Sequence, residues 1–136
     1  MTRECEYAVR MLVCLAGWQT PREPSRGWPA RELAGATGVP PAEAAKILQR
    51  LAREGLIEGR RGQGGGCRLL GDPTLAAVIG ATDARQARPE PFSGPAGERV
   101  LAWRRRTTVR HLARAGRRRQ WANFRAVLHA PANGEA

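Results

Sequence analysis

The sequence predicts a mostly helical protein with one small β-hairpin, and three observations support this fold class. Apolar residues recur at helical spacing in several segments, each bounded by glycine or proline. A glycine-rich run, residues 59–66, lies between two short apolar stretches, which is typical of a hairpin with an open tip. Hydrophobic residues make up 42% of the 136-residue chain, which is enough for a folded core.

The first helix is predicted to follow Thr2, a residue that favours the N-cap position, and to end near residue 18. Its apolar residues are expected to cluster on one face, formed by Tyr7, Met11, Cys14, Leu15 and Trp18. Cys5 is expected on nearly the opposite face. Residues 20–27 contain two prolines and a glycine, which predicts a loop.

Two further helices, separated by a short turn, are predicted next. The first of them begins around Pro29 and ends at Gly38, and the second runs from about Pro41 to Arg53. On this third helix the apolar residues share one face, namely Ala44, Ile47, Leu48 and Leu51. The other face carries hydrogen-bond donors and few acids, with Ala42, Lys46, Gln49, Arg50 and Arg53. A helix pair of this kind followed by a basic hairpin is the layout of a winged helix-turn-helix, in which the second helix of the pair enters the major groove of DNA.

The hairpin is predicted from two apolar runs, 56–58 and 67–70, on either side of the glycines. Arg60 and Arg61 would supply positive charge to it, and Gly64 and Gly65 would let the backbone approach phosphate groups closely. No Lys-Ser or Lys-Thr pair follows the glycines, so the run does not match a nucleotide-binding phosphate loop. The sequence therefore predicts a wing for duplex DNA.

The rest of the chain predicts shorter helices. A helix over residues 73–83 would be capped by Asp72 or Thr74, and a proline-rich linker covers 84–97. A helix from Glu98 to about residue 106 would continue to about 115 after a cap at Thr107 or Thr108. Trp121 and Phe124 share a face of a last helix. The arginine runs at 104–106 and 117–119 fit either a solvated helix face or a contact with DNA or an acidic partner.

The charge of the chain favours a polyanionic partner, most simply nucleic acid. The formal net charge is +11. Residues 1–96 carry 13 basic and 10 acidic residues, whereas residues 97–136 carry 10 and 2, so most of the excess lies outside the predicted DNA-binding part. Residues 43–68 nevertheless hold six basic residues against three acidic ones.

Several classes of protein are disfavoured by composition and spacing. The sequence lacks an apolar run of about 20 residues and an apolar leader, and it has three cysteines, so we expect a cytoplasmic protein with reduced thiols and no membrane partner. No catalytic set of side chains is present, which indicates a protein that is not an enzyme. Neither His111 nor His129 is at ligand spacing from a cysteine, and no metal site is expected.

Several of these segments together resemble the Rrf-two (Rrf2) family of winged-helix regulators. The residues that carry the resemblance are the opening run 2–16, the helix-turn-helix segments 32–34, 38–39, 46–51 and 55–57, and the hairpin 61–66. The run 72–75 with Val78, and Thr108, Val109 and Leu112, are similar to the segments that follow in the family. The hairpin signature normally continues with an aromatic residue, where this chain has Cys67. The likeness covers residues 1–83 well and 98–113 loosely.

The resemblance implies a homodimeric transcription factor that binds an imperfect palindrome in double-stranded DNA. Arg61 would enter the minor groove. The start of the third helix would face base edges, with Pro41, Ala42, Ala45, Lys46 and Gln49. Family members often have a Glu-Gln type pair at positions 45 and 46, so the site preference of the family does not transfer to this chain. The implied organisation is a DNA-binding domain at 1–72, a short helix and linker at 73–97, a dimerisation region at 98–115, and a basic, aromatic helix and tail at 116–136.

No cofactor is expected. Family members that bind an iron–sulfur cluster carry three cysteines before the dimerisation helix, and residues 72–98 of this chain contain none. Glu6 matches an acidic position that is a ligand in some members, but no cysteines of that loop are present to join it.

Two questions remain open at the level of sequence. Cys67, beside basic residues that would lower its pKa, and Cys14 are candidate redox thiols, although a buried cysteine is more often a small apolar residue. The function is either that of a sequence-specific regulator or that of a non-specific nucleic-acid or protein adaptor that uses the winged helix for docking. A protein partner or a small-molecule effector is compatible with both.

Overall fold

The protein is described here in a computed structural model for residues 2–19, 22, 26–60, 66–83 and 94–115. In this part of the chain the helices are α1 (Arg3–Trp18), α2 (Ala30–Thr37), α3 (Pro41–Arg53), α4 (Leu75–Asp83), α5 (Gly94–Arg106) and α6 (Val109–Ala115). Two strands, β1 (Ile57–Arg60) and β2 (Gly66–Leu69), form an antiparallel hairpin between α3 and α4. None of the described helices has the length and apolar character needed to cross a bilayer. The order of elements confirms the predicted class, a mostly helical winged helix.

Helix α1 lies at the centre of the molecule and packs against α2, α3, α4 and α6. The expectation of a single apolar face on α1 was therefore wrong. Met11 and Leu15 of the predicted face are fully buried, but so are Cys5, Val9 and Leu12 on other sides of the helix. Neighbours on several sides exclude water from all these positions, and Cys5 is a core residue.

The turn between α2 and α3 forms for local reasons that the sequence shows directly. Gly38 adopts a left-handed conformation with φ of 72°, which ends α2 at low steric cost. Val39 is buried in the turn, and Pro41 takes the first position of α3, where a missing N–H costs nothing. Helix α3 then buries the four residues predicted for its apolar face, Ala44, Ile47, Leu48 and Leu51.

The hairpin is anchored to the body of the protein along β2. Its register pairs Ile57 with Leu69 and Arg60 with Gly66. On the other side of β2, the backbone of Cys67 exchanges two hydrogen bonds with the backbone of Trp28, at 2.7 and 2.8 Å. The side-chain amide of Gln19 continues this pairing, because it accepts from Leu69 N at 2.9 Å and donates to Leu69 O at 3.3 Å. The base of the wing is thus fixed on both edges.

The start of helix α6 is attached to the start of α4 by two backbone hydrogen bonds. Leu75 N donates to Thr107 O, and Val109 N donates to Pro73 O, both at 2.9 Å. Asp72 Oδ1 accepts from Arg110 N at 3.0 Å, so Asp72 caps α6. Val109 is fully buried, and α6 packs on α1.

The predicted caps and bounds in this region are resolved by the structure. Thr74, rather than Asp72, caps α4 through a 3.1 Å hydrogen bond from Ala77 N. Thr108 caps α6 through a 3.1 Å bond from His111 N. The fifth helix begins at Gly94 instead of the expected Glu98, because Gly94 turns the chain with φ of 73° and Pro95 suits the first position of a helix.

Several predictions fall outside the described residues. They concern Arg61, Gly64 and Gly65 of the wing tip, and the last helix with Trp121, Phe124, His129 and the arginine run 117–119. Within the described run 104–106, Arg105 and Arg106 are exposed, whereas Arg104 is buried. The interpretation of this run as a wholly solvated face is therefore wrong at Arg104.

Candidate DNA-binding surface

The outer face of α3 is open to solvent over its whole length. Its exposed residues are Pro41, Ala42, Ala45, Lys46, Gln49, Ala52 and Arg53. Ala42 and Ala45 keep the first turns narrow, whereas Lys46 and Gln49 carry the donors that can reach base edges or phosphates. The opposite face lies in the core, so the helix is held rigidly while it presents these side chains.

Arg50, also predicted for this surface, points elsewhere. Its Nη1 lies 2.7 Å from Oε1 of Glu4 and donates to the carbonyl oxygen of Thr82 at 3.2 Å. The side chain is 20% exposed, against 38% for Glu4. The structure brings Lys46 and Gln49 together on the outer face and directs Arg50 inward.

The base of the wing carries a cross-strand ion pair. Glu58 and Arg68 are register partners, and Arg68 Nε donates to Glu58 Oε2 at 2.6 Å. Arg60 Nε lies 3.5 Å from the other carboxylate oxygen, and its side chain remains 52% exposed. The hydrogen bond from Arg68, with the charges of Arg60 and Arg68, lowers the pKa of Glu58. Glu58 is thus ionised at neutral pH and orients both arginines, leaving Arg60 accessible.

Two polar side chains that matter here were missed by sequence reasoning. Gln19 pairs with β2 across 50 positions of the chain, and Glu4 pairs with Arg50 across 46. Neither pairing has a local sequence signal. The only hint was the position of Glu4 in the first turn of a helix, where a carboxylate is favoured by the helix dipole.

The cysteines lie in apolar surroundings. Burial raises the pKa of Cys14 to about 11, and it also raises the pKa of Cys67. The expected lowering of the Cys67 pKa by neighbouring arginines was therefore wrong, because Arg68 is engaged by Glu58 and the thiol packs against the core. The assignment of Cys67 and Cys14 as redox thiols stays a prediction, without an activated thiolate to support it.

Slow thiol chemistry is the expected result for the folded protein. Since the thiolate is the reactive form, Cys14 and Cys67 should react with 5,5′-dithiobis(2-nitrobenzoate) at pH 8 more slowly than free cysteine does. Unfolding in guanidinium chloride should restore ordinary rates at all three cysteines. A folded Cys67 that reacts as fast as free cysteine would contradict the burial described here.

The described residues do not fit an iron–sulfur cluster. Such clusters are held mainly by thiolates, usually four of them. Cys5 and Cys14 are nine positions apart on one helix, which separates them by about 13 Å along its axis, and Cys67 lies on β2. The Glu6 carboxylate is 2.9 Å from Arg10 Nη2. Across the described ranges, no three His, Cys, Asp or Glu side chains are grouped so that they could hold a metal ion.

Comparison with curated proteins finds relatives that match part of this chain. Protein aau3 of Rhizobium meliloti (strain 1021) is 41% identical over 103 residues, which are 72% of this chain and 61% of that protein. The transcriptional repressor NsrR of Streptomyces coelicolor is 41% identical over 69 residues, which are 51% of this chain and 45% of that protein. The chain spans less than two thirds of the length of either relative.

Solved structures share the fold at low identity. CymR of B. subtilis, described as its global cysteine regulator, superposes with a TM-score of 0.70 at 17% identity, over 86% of this chain and 98% of that one. The oxidized form of CymR of Staphylococcus aureus gives a TM-score of 0.59 at 19% identity, over 82% and 94%. The family model of Rrf2, described as an iron-dependent transcriptional regulator, matches residues 1–117. This chain therefore belongs to the Rrf2 family of DNA-binding transcriptional regulators, which are not enzymes.

Proposed function

We propose that the protein binds a palindromic operator as a homodimer and regulates transcription in a sequence-specific manner, without an iron–sulfur cluster. The observation that carries this proposal is the exposed face of α3. Lys46 and Gln49 stand there beside two alanines, on a helix whose other face is fixed in the core. An arrangement of this kind suits insertion into the major groove, which an α-helix fits.

The proposed contact set rests on exposure for the described residues and on the sequence for Arg61, Gly64 and Gly65. Pro41, Ala42, Ala45, Lys46 and Gln49 would face the bases, and Arg60 at the base of the wing, with Arg61, Gly64 and Gly65 at its tip, would meet the adjacent backbone or minor groove. Arg50 is omitted from this set because its guanidinium is held by Glu4 and Thr82.

Dimerisation through α5 is supported by its side chains. Val100, Leu101 and Trp103 are apolar and only partly buried, and a second copy of α5 would remove their remaining surface from water. Two copies would present two α3 helices, which matches a site made of two half-sites about one helical turn apart.

We base the proposed absence of a cluster on the side chains that could serve as its ligands. Cys5 is fully enclosed by the core, and Glu6 already neutralises Arg10. Protein purified without oxygen should therefore show no visible absorption band. A band at about stoichiometric iron and sulfide content would contradict this part of the proposal.

The proposed function is tested by selecting bound fragments from sheared genomic DNA with the purified protein at two salt concentrations. A regulator should enrich the same palindromic sequences at both. An adaptor without sequence preference should bind all fragments, with an affinity that falls steeply as salt rises, because release of counterions would supply its binding energy. Enrichment that disappears at the higher salt would favour the adaptor.

The wing makes a separate prediction. Replacing Arg61 by alanine should weaken operator binding by about 1–3 kcal/mol, the range for an arginine that reads a groove. Competition binding with a labelled operator fragment measures the loss. Arg114→Ala on the exposed surface of α6 is the charge-matched control. A loss below about 0.3 kcal/mol, within the spread of neutral surface changes, would contradict the wing assignment.

A further inference from the structure

Arg50 lies where the ends of two other helices meet α3. Glu4 stands in the first turn of α1, and Thr82 is next to the last residue of α4. The Nη1 atom of Arg50 reaches both, the carboxylate at 2.7 Å and the carbonyl oxygen at 3.2 Å. One guanidinium thus connects the recognition helix with the start of α1 and the end of α4.

Each of these contacts places a charge of favourable sign at a helix end. Carbonyl groups in the last turn of a helix have no partner within the helix and carry partial negative charge, so a cation is favoured beside Thr82 O. A carboxylate is favoured in the first turn of α1, where the N–H groups are exposed. Arg50 bridges the two helix ends with complementary charge, and with 20% of its side chain exposed the bridge is only partly screened by water.

The other helix of the pair is held in the same way. Arg10 of α1 donates through Nη1 to Thr37 O, the last residue of α2, at 3.2 Å, while its Nη2 lies 2.9 Å from Glu6. Arginine, a helix-end carbonyl and a glutamate from the start of α1 recur in both places. The two arginines therefore attach both helices of the helix-turn-helix to α1.

We infer that Arg50 is a positioning residue, which with Glu4 sets the orientation of α3 relative to α1 and α4 and makes no contact with DNA itself. This inference rests on the proposed function, since the orientation matters for insertion of Lys46 and Gln49 into the groove. Because Thr82 belongs to the last turn of α4, a displacement of that turn would act on α3 through this contact.

The replacement Glu4→Gln distinguishes a phosphate contact from a positioning role of Arg50, because its effect on DNA binding has opposite signs in the two cases. If Arg50 were a phosphate contact restrained by Glu4, Glu4→Gln would release the guanidinium and tighten DNA binding. If Arg50 positions α3, Glu4→Gln should weaken operator binding, by about tenfold for the loss of one charged hydrogen bond. Arg50→Met, which keeps the apolar stem, should weaken it in the same direction.

Salt dependence supplies a second readout, which separates a residue that contacts a phosphate from a residue that positions α3. A lost phosphate contact lowers the slope of log affinity against log salt by about 0.9, whereas a positioning residue leaves that slope unchanged. The probes are the tightest fragment from the genomic selection and a shuffled fragment of equal composition. We expect loss of affinity for the first, unchanged affinity for the second and unchanged slopes for both. Arg50→Lys should recover part of the loss.

Arg114→Met on α6, at an exposed position outside the proposed dimer helix α5, is the matched control for loss of charge. Tighter binding by Glu4→Gln, a reduced slope for Arg50→Met, or a lower melting temperature with unchanged operator affinity of the folded protein would each overturn the inference.

If the wild-type protein fails to discriminate operator from shuffled DNA, the proposed function fails instead. Amide hydrogen exchange then decides the inference, which requires faster exchange in the last turn of α4 in Arg50→Met and is overturned by unchanged exchange there.

Discussion

Replacing Gly66 by alanine is expected to destabilise the protein by about 2 kcal/mol or more, the scale of a strained backbone position that is also crowded. Gly66 has φ of 116°, a conformation that residues with a Cβ rarely adopt. A Cβ there would also come closer than 3.0 Å to backbone atoms of Trp28 and Pro29. These atoms cannot move freely, since Trp28 is paired with Cys67 by two backbone hydrogen bonds.

Relief of the clash requires β2 to separate from Trp28, so the wing should lose its position relative to α3. Operator affinity should then fall. The free energy of unfolding, which chemical denaturation measures, should fall as well. Two control variants separate the causes. Gly71→Ala has positive φ of 60° with nothing nearby, and Gly59→Ala on β1 has open space without positive φ. Equal stability of the Gly66→Ala and Gly59→Ala proteins would contradict the described attachment of the wing.

The double replacement of Lys46 and Gln49 by alanine is expected to remove most of the preference for the operator. A good side-chain contact with a base is worth about 1–3 kcal/mol of discrimination, so the pair should account for about 3 kcal/mol. The preference is measured as the ratio of affinities for operator and shuffled DNA at fixed salt. Because both side chains are exposed, the free energy of unfolding should change by less than about 0.5 kcal/mol.

Arg114→Ala, an exposed cation on α6, is the control for loss of charge alone. It should change the affinities for operator and shuffled DNA in the same proportion. A double variant that keeps the wild-type preference for the operator would show that α3 does not read the bases.

Local signals were sufficient to predict most of the helix-turn-helix. Gly38 and the proline at position 41 act within a few residues of their own position, and the bounds of α2 and α3 followed from them to within a residue. The apolar spacing of α3 identified all four of its buried residues. The hairpin, which was predicted from glycines between two short apolar runs, was also confirmed, because β1 and β2 pair in antiparallel register.

Features that depend on distant contacts could not be predicted in this way. Cys5 is buried because α1 has neighbours on several sides, which a one-face pattern cannot reveal. Arg50 belongs by spacing to the polar face, and only the arrival of Glu4 and Thr82 from remote parts of the chain directs it inward. The pKa of Cys67 was misjudged for the same reason, since its burial outweighs the nearby positive charge. Asp72 caps α6, 38 positions further along the chain, instead of the adjacent α4.

The central claim, that two copies of the chain read a palindrome with α3, is tested most directly by footprinting the tightest genomic fragment while the bound protein is counted. The expected result is two chains per site and protection of two inverted half-sites, with centres about 10 base pairs, or a multiple of one helical turn, apart. Uniform protection along the fragment, or one chain bound to one half-site, would contradict the claim.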